Sequence, residues 1–365
     1  MSAPRWADAR RVLCIRLDSV GDVLMTTPAL RALRESAPDR QVTLLTSSVG
    51  AQVAALVPEI ERTIVFDAPW MKSTGNEPTQ DIAAIAQLRE ARFDAAVIFT
   101  VYSQNPLPAA YLAFLAGIPL RLAHCRENPY QLLTDWLPES EPQQRVRHEV
   151  QRQLDLVASV GAATRDERMS LRVPAAAHRH VQTRLASLGR SASRPLVLVH
   201  PGASAPSRRW PPEHFAHAAS LLSRRGCDLV FTGSGEEAPL VERIRAAMDA
   251  PSVSLAGELD MAGLAAAIEA ADLLLVNNTG PAHMAAALGT PVVDLYALTN
   301  PQHTPWMVRS RVLSHDVPCR NCYRSVCPEG HHDCLRRVAP QDAADAAMEL
   351  LEQASAHVTA LPHER

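Results

Sequence analysis

Two acids open the question of chemistry. The stretch "RLDSVGDVLMTTPALRAL" (16–33) follows an apolar run, "VLCI", and carries Asp18 and Asp22 just before a helical pattern begins. An acid at a helix start is an ordinary cap. It is also where a general base would stand if the turn presented it to a substrate hydroxyl. Asp22 is read as the base, with Asp18 its nearest rival and capping as the alternative.

Three later loops suit an activated phosphate. In "HPGASAPSRRWPPEHF" (200–215), small residues and the Ser204 hydroxyl are followed by two permanent cations, Arg208 and Arg209. That combination after a strand fits an anion; a solvated polar loop is the alternative. In "VNNTGPAHMAAALGTP" (276–291), Asn278, Thr279 and Gly280 end a strand, and Pro281 opens a helix with His283 one turn in. The helix N-terminus would face the ligand with its positive end; a plain capped helix is the alternative. In "FTGSGEEAPLVERI" (231–244), only half of a dinucleotide fingerprint is present, around Gly233. Glu236 and its neighbour Glu237 would repel a pyrophosphate, so this loop is read as meeting a base or ribose.

A fourth cluster is of a different kind. "CRNCYRSVCPEGHHDCL" spaces Cys319, Cys322, Cys327 and Cys334 closely, with His331 and His332 inside. Structural zinc is the expected occupant. Reduced thiols packing a loop, or a disulfide, are the alternatives.

The elements that must hold these loops alternate strand and helix. Runs that are apolar throughout stand at 11–17, 41–47, 62–67 and 93–100, and again at 195–201, 227–233, 253–257, 272–278 and 291–297. Such runs imply parallel strands covered on both faces by helices. With 365 residues, the pattern predicts two doubly wound Rossmann-like α/β domains. The N-terminal, acceptor-binding domain is placed at 1–175, a linker at 176–193, the C-terminal, nucleotide-sugar domain at 194–340, and a helix and tail at 341–365 that could cross back to the first domain. Ligands of open α/β sheets bind beyond the carboxyl ends of the strands. The expected site is therefore a cleft between two such edges.

A formal charge of −3, with Lys72 the only lysine, gives no attraction to nucleic acid. No apolar leader opens the chain, and the apolar stretch 107–120 is short of a membrane span and interrupted by prolines. It is read as a buried or partner-facing helix. A cytoplasmic protein is expected, with at most peripheral contact with the inner membrane.

Taken in order, "RLDSVGDVLMTTPAL", "HPGAS…RRWPPEHF", "TGSGEE" and "NNTGPAHMAAALGTPVV" resemble the family 9 glycosyltransferases, the heptosyltransferases of lipopolysaccharide assembly. The resemblance implies a GT-B fold and an inverting, metal-independent transfer of heptose from ADP-heptose, with no cofactor needed for catalysis. It makes Asp22 the base and Arg208, with Arg209 beside it, the grip on the diphosphate. Asn278 stands where the family has an acid, while Thr279, Gly280 and His283 are kept. The acceptor would meet Asp18 and the cations Arg121, His124 and Arg126. The inner core of lipopolysaccharide is expected there, and a small-molecule acceptor or another nucleotide sugar is the alternative. A nucleotide-sugar 2-epimerase or a non-catalytic binder are further readings. An NAD oxidoreductase is disfavoured, because "RLDSVGD" is not G-x-G-x-x-G.

Overall fold

A computed structural model describes residues 5–71, 77–187 and 193–359. Lys72 and residues 188–192 of the expected linker lie outside them. The chain divides into two compact units, Met1–Arg172 and Val173–Arg365.

The first unit runs β1 (Arg11–Arg16), α1 (Val20–Glu35), β2 (Gln41–Thr46), α2 (Ser48–Ala54), β3 (Arg62–Val65), α3 (Pro78–Ala91), β4 (Ala95–Ile98), α4 (Leu107–Leu115), β5 (Leu120–Cys125), β6 (Asp135–Pro138) and α5 (Glu149–Ala158). Its six strands are ordered β3-β2-β1-β4-β5-β6, and every pairing is parallel. Val12 to Ile15 are buried, as a central strand covered on both faces requires.

The second unit runs α6 (Ala175–Ser187), β7 (Leu196–His200), α7 (Pro212–Arg224), β8 (Asp228–Phe231), α8 (Ala238–Ala246), β9 (Val253–Ser254), α9 (Met261–Glu269), β10 (Leu273–Asn277), α10 (Gly280–Leu288), β11 (Val292–Leu295), β12 (Ser310–Leu313), α11 (Asp333–Arg336) and α12 (Pro340–Thr359). The order β12-β11-β10-β7-β8-β9, again all parallel, repeats that of the first unit. Each sheet therefore reverses direction between its first and fourth strands. That reversal leaves a crevice at β1/β4 in one unit and at β7/β10 in the other.

Residues 176–187 of the expected linker belong to α6 (Ala175–Ser187), which packs on α9. Only Val181 and Leu185 of α6 are buried, too sparse an apolar face to announce a helix. The C-terminal helix α12 packs against α7 and the β10–β12 strands of its own unit.

The start of α1 shows how the "TTP" of the opening stretch is accommodated. Pro28 sits inside the helix and has no N–H for the carbonyl of Leu24. The Thr27 hydroxyl donates to that carbonyl instead, at 2.7 Å. The same hydroxyl accepts from Ser170 N at 3.0 Å, tying α1 to the end of the unit.

Candidate functional site

In the first unit the candidate residues cluster at the β1/β4 crevice. Asp22 is the third residue of α1. Its Oδ2 accepts from Ser19 N at 3.1 Å and from the Ser19 hydroxyl at 2.7 Å. It is thus a capping acid. Its other oxygen accepts from Arg16 Nη2 at 2.9 Å. Arg16 closes β1 and is wholly buried, with Asp18 at 3.0 Å from Nε and Glu149 of α5 at 2.8 Å from Nη1. Asp18 takes a further bond from Gln104 Nε2 at 2.5 Å. Burial pushes the Asp18 carboxyl up to about 6, against the pull of Arg16 and with the neighbouring Asp22 adding to the rise. Asp18, Gln104, Asn105 and Trp70 line a pocket of about 220 Å³ beside these groups. Trp70, Gln104 and Asn105 were not singled out from sequence, but they lie in the loops 67–80 and 100–110 that the sequence assigns to shaping the acceptor site.

Two of the expected acceptor cations are structural. Arg121 lies in β5, and its guanidinium is used up on main-chain carbonyls: Nε to Leu132 at 2.7 Å, Nη2 to Gln131 at 2.8 Å and Nη1 to Ile118. His124, in the same fully buried strand, faces the carbonyl of Arg152 at 3.1 Å. Burial, with Arg152 nearby, lowers its pKa to about 4, so it is neutral and cannot attract an acidic acceptor. Arg126 is exposed overall, with Nη2 on the carbonyls of Tyr102 (2.8 Å) and Glu141.

In the second unit the site gathers at the β7/β10 crevice. Asn277 ends β10 and braces the β7 loop from both sides. Its Oδ1 accepts from Trp210 N at 3.0 Å and its Nδ2 donates to the Pro201 carbonyl at 2.8 Å. The Trp210 indole is buried and donates to the Val338 carbonyl at 3.2 Å. Between these anchors Arg208 is half-buried and reaches the Asn278 carbonyl at 3.5 Å, which places it over the first turn of α10. Arg209 donates to the Ala203 carbonyl at 2.8 Å, and Ser204 is exposed. Thr279 precedes α10 with its hydroxyl on the Asn277 carbonyl at 3.2 Å, and Gly280 is the first helical residue. Guanidinium, hydroxyl and helix N-terminus thus lie together where a diphosphate could be held.

Asn278 itself is buried, with Nδ2 on the His303 carbonyl at 3.2 Å. Beside it is an acid that sequence reading left in a strand. Asp294 of β11 is wholly buried, and burial pushes its carboxyl up to about 8, with Asn278 and Arg208 pulling the other way. A buried carboxyl that favours its neutral form thus lies on the strand next to Asn278. His283 is buried, its ring 6.5 Å from that of His303.

At the β8 loop the two acids have different surroundings. Glu236 is exposed. Glu237 accepts from Ser234 N at 2.8 Å and lies against Gly202 and the buried His200, whose Nε2 is 3.9 Å from Oε2. Gly233 also abuts the Glu237 side chain.

The cysteine cluster does not form the expected zinc site. Among the described residues, no group of three or more His, Cys, Asp or Glu side chains is placed to hold an ion. Cys319 Sγ is 3.9 Å from His331 Nε2, while His331 Nδ1 is taken by the Asp333 N–H at 2.9 Å. The loop has another task. Ser207 N donates to the Ser325 carbonyl at 3.0 Å and its hydroxyl to the Arg324 carbonyl at 2.8 Å. The cysteine loop thereby holds the residue next to Arg208.

Residues 82–332 match the model of glycosyltransferase family 9 (heptosyltransferase), well over half of the chain. The chain belongs to that family. It is 26% identical over 352 residues to the lipopolysaccharide heptosyltransferase 2 of Salmonella typhimurium, covering 94% of this chain and 99% of the relative. The crystal structure of the glycosyl transferase family 9 protein from Veillonella parvula superposes with a TM-score of 0.80 at 24% identity, over 97% of this chain and 99% of that one. The E. coli ADP-heptose lps heptosyltransferase II gives 0.75 at 24% identity, over 94% and 99%. This family member is a glycosyltransferase with the GT-B fold class expected from its loops. Among its described residues no helix is long and apolar enough to cross a membrane.

Proposed function

We propose that this glycosyltransferase moves a heptose from ADP-heptose to a hydroxyl of the lipopolysaccharide inner core, with inversion and without a catalytic metal, on the cytoplasmic side of the inner membrane. The observation that carries this reading is the convergence of Arg208, Thr279 and the start of α10 at the β7/β10 crevice. These groups suit the charge that builds on a departing diphosphate. The names of the relatives supply the sugar and the acceptor class. In the first unit, Asp22 takes the proton of the acceptor hydroxyl. The oxygen forms its bond to the anomeric carbon as the bond from that carbon to the diphosphate breaks, and ADP leaves. One displacement inverts the centre.

A small-molecule acceptor outside lipopolysaccharide is the second reading. It is favoured by the burial of Arg121 and His124, which removes two of the cations assigned to an acidic acceptor. The deciding experiment is mass spectrometry of products from ADP-heptose incubated with a panel of acceptors, phosphorylated inner core among them. A heptosylated core supports the first reading. Transfer only from other nucleotide sugars, or none to any core acceptor, would overturn it.

A further inference from the structure

The Asp22 carboxylate does not stand alone, and what surrounds it has consequences for when it can act. We propose that Arg16 is a positioning residue of the transfer reaction, and that Glu149 and Asp18, acting through Arg16, set the pH at which Asp22 accepts a proton. This rests on the reading of Asp22 as the base.

The guanidinium of Arg16 is a planar fork, and each of its three nitrogens meets a different carboxylate. Nε is 3.0 Å from Asp18, Nη2 2.9 Å from Asp22 and Nη1 2.8 Å from Glu149. Arg16 and Glu149 are wholly buried, and Asp18 and Asp22 keep only 12% and 14% of their side-chain surface exposed. No lysine could span the three acids at once, because an ammonium is a point charge on a flexible stem.

One positive charge faces three negative ones in a poorly solvated place. Carboxylates that share such a site do not all ionise together, and one of them holds a proton into a higher pH range. The hydrogen bonds decide which. Asp22 accepts from Arg16, from Ser19 N and from the Ser19 hydroxyl. Glu149 accepts from Arg16 and from Gln153 Nε2 at 2.6 Å, with Arg152 Nη1 a further 4.0 Å away. Arg152 is itself paired with Glu139, and the neutral His124 lies behind it. Among the described residues, the Asp18 carboxylate accepts a hydrogen bond from Gln104 and is ion-paired with Arg16 Nε at 3.0 Å. Asp18 is therefore the acid that holds its proton to a higher pH, its carboxyl raised by burial to about 6. The bond from Arg16 Nη2 fixes the direction of Asp22 Oδ1. Glu149 anchors Arg16 from behind, where solvent cannot compete.

The signs of the expected shifts are opposite, which separates this role from simple support of the fold. Glu149→Gln removes an anion, so the remaining acids hold their protons less tightly. The acidic limb of the kcat/KM profile should move down by roughly one pH unit. Arg16→Met removes the cation, and the limb should move up by a similar amount. Arg16→Lys keeps the charge and should restore most of the profile while kcat stays low, since Lys cannot orient the three acids. Carbon-13 NMR titration of aspartate-labelled enzyme, assigned with Asp18→Asn and Asp22→Asn, reads the same shifts without any substrate. Should Arg16→Met fail to fold, Glu149→Gln and Arg16→Lys still decide the matter. If both lower activity and leave the pH limb and the aspartate titrations where they are in the wild type, the proposal is wrong. Shifted titrations in an enzyme that transfers no heptose would overturn the assigned reaction and leave the charge coupling standing.

Discussion

Gly202 and Glu237 lie so close that a Cβ on the glycine would meet Glu237 Oε1 at 1.9 Å. The glycine is required by this approach, and the approach brings an acid from the β8 loop to the β7 loop. Gly202→Ala should push the flexible carboxylate aside with little effect on folding. If Glu237 bonds the nucleoside of the donor, ADP affinity should fall roughly tenfold or more, the scale of a hydrogen bond to a charged group. Titration calorimetry with ADP checks it. Wild-type affinity in Gly202→Ala would remove Glu237 from the donor site.

Asp22→Asn separates chemistry from capping. Asparagine keeps an acceptor for Ser19 but gives up the ion pair with the buried Arg16, so the melting temperature should fall while the variant still folds. The transfer rate should fall by roughly 10²–10⁴-fold, the usual contribution of a general base, with ADP binding unchanged. A variant retaining most of its turnover would return Asp22 to the role of a cap.

Arg121→Ala tests the correction made in the first unit. Its loss strands several main-chain carbonyls that the guanidinium now satisfies. Stability to urea should drop by about 2 kcal/mol or more, given the cost of unsatisfied buried acceptors. The acceptor KM of the folded fraction should stay the same. A raised KM with unchanged stability would put Arg121 back at the acceptor.

Asp294 makes a prediction about pH. Its folded-state pKa, about 8, lies above the value of an unfolded aspartate. Between those two values the folded chain holds a proton that the unfolded chain has lost. Its contribution is therefore fully present below about pH 4 and is lost as pH rises through 8. Asp294→Asn carries no such proton, so its melting temperature should gain on the wild type as pH goes from 5 to 8. Parallel curves would show that Asp294 ionises freely.

The loops that carry Asp22, Arg208 and Thr279 were legible because each follows an apolar run, and strand ends are where open sheets bind ligands. What the sequence hid was direction and partnership. Arg121 and His124 sit in β5, a strand buried at every position, yet part of that stretch reads as a polar loop because charged letters interrupt it. Choosing between Glu236 and Glu237 depends on which side of a turn faces Gly202, which adjacent acids cannot reveal. Asp294 is one polar letter inside "PVVDLYA". Glu149 is separated from Arg16 by most of the first unit. The strands β5, β6 and β12 and the helix α6 were also missed, being short or weakly patterned.

The two bonds from Ser207 to the backbone of residues 324 and 325 make the cysteine loop a splint for the loop that carries Arg208. For anyone building chimeras among related transferases, the β7 loop and the segment 319–334 form one cassette. Exchanging donor specificity by moving the arginine loop alone would leave Ser207 facing a foreign backbone.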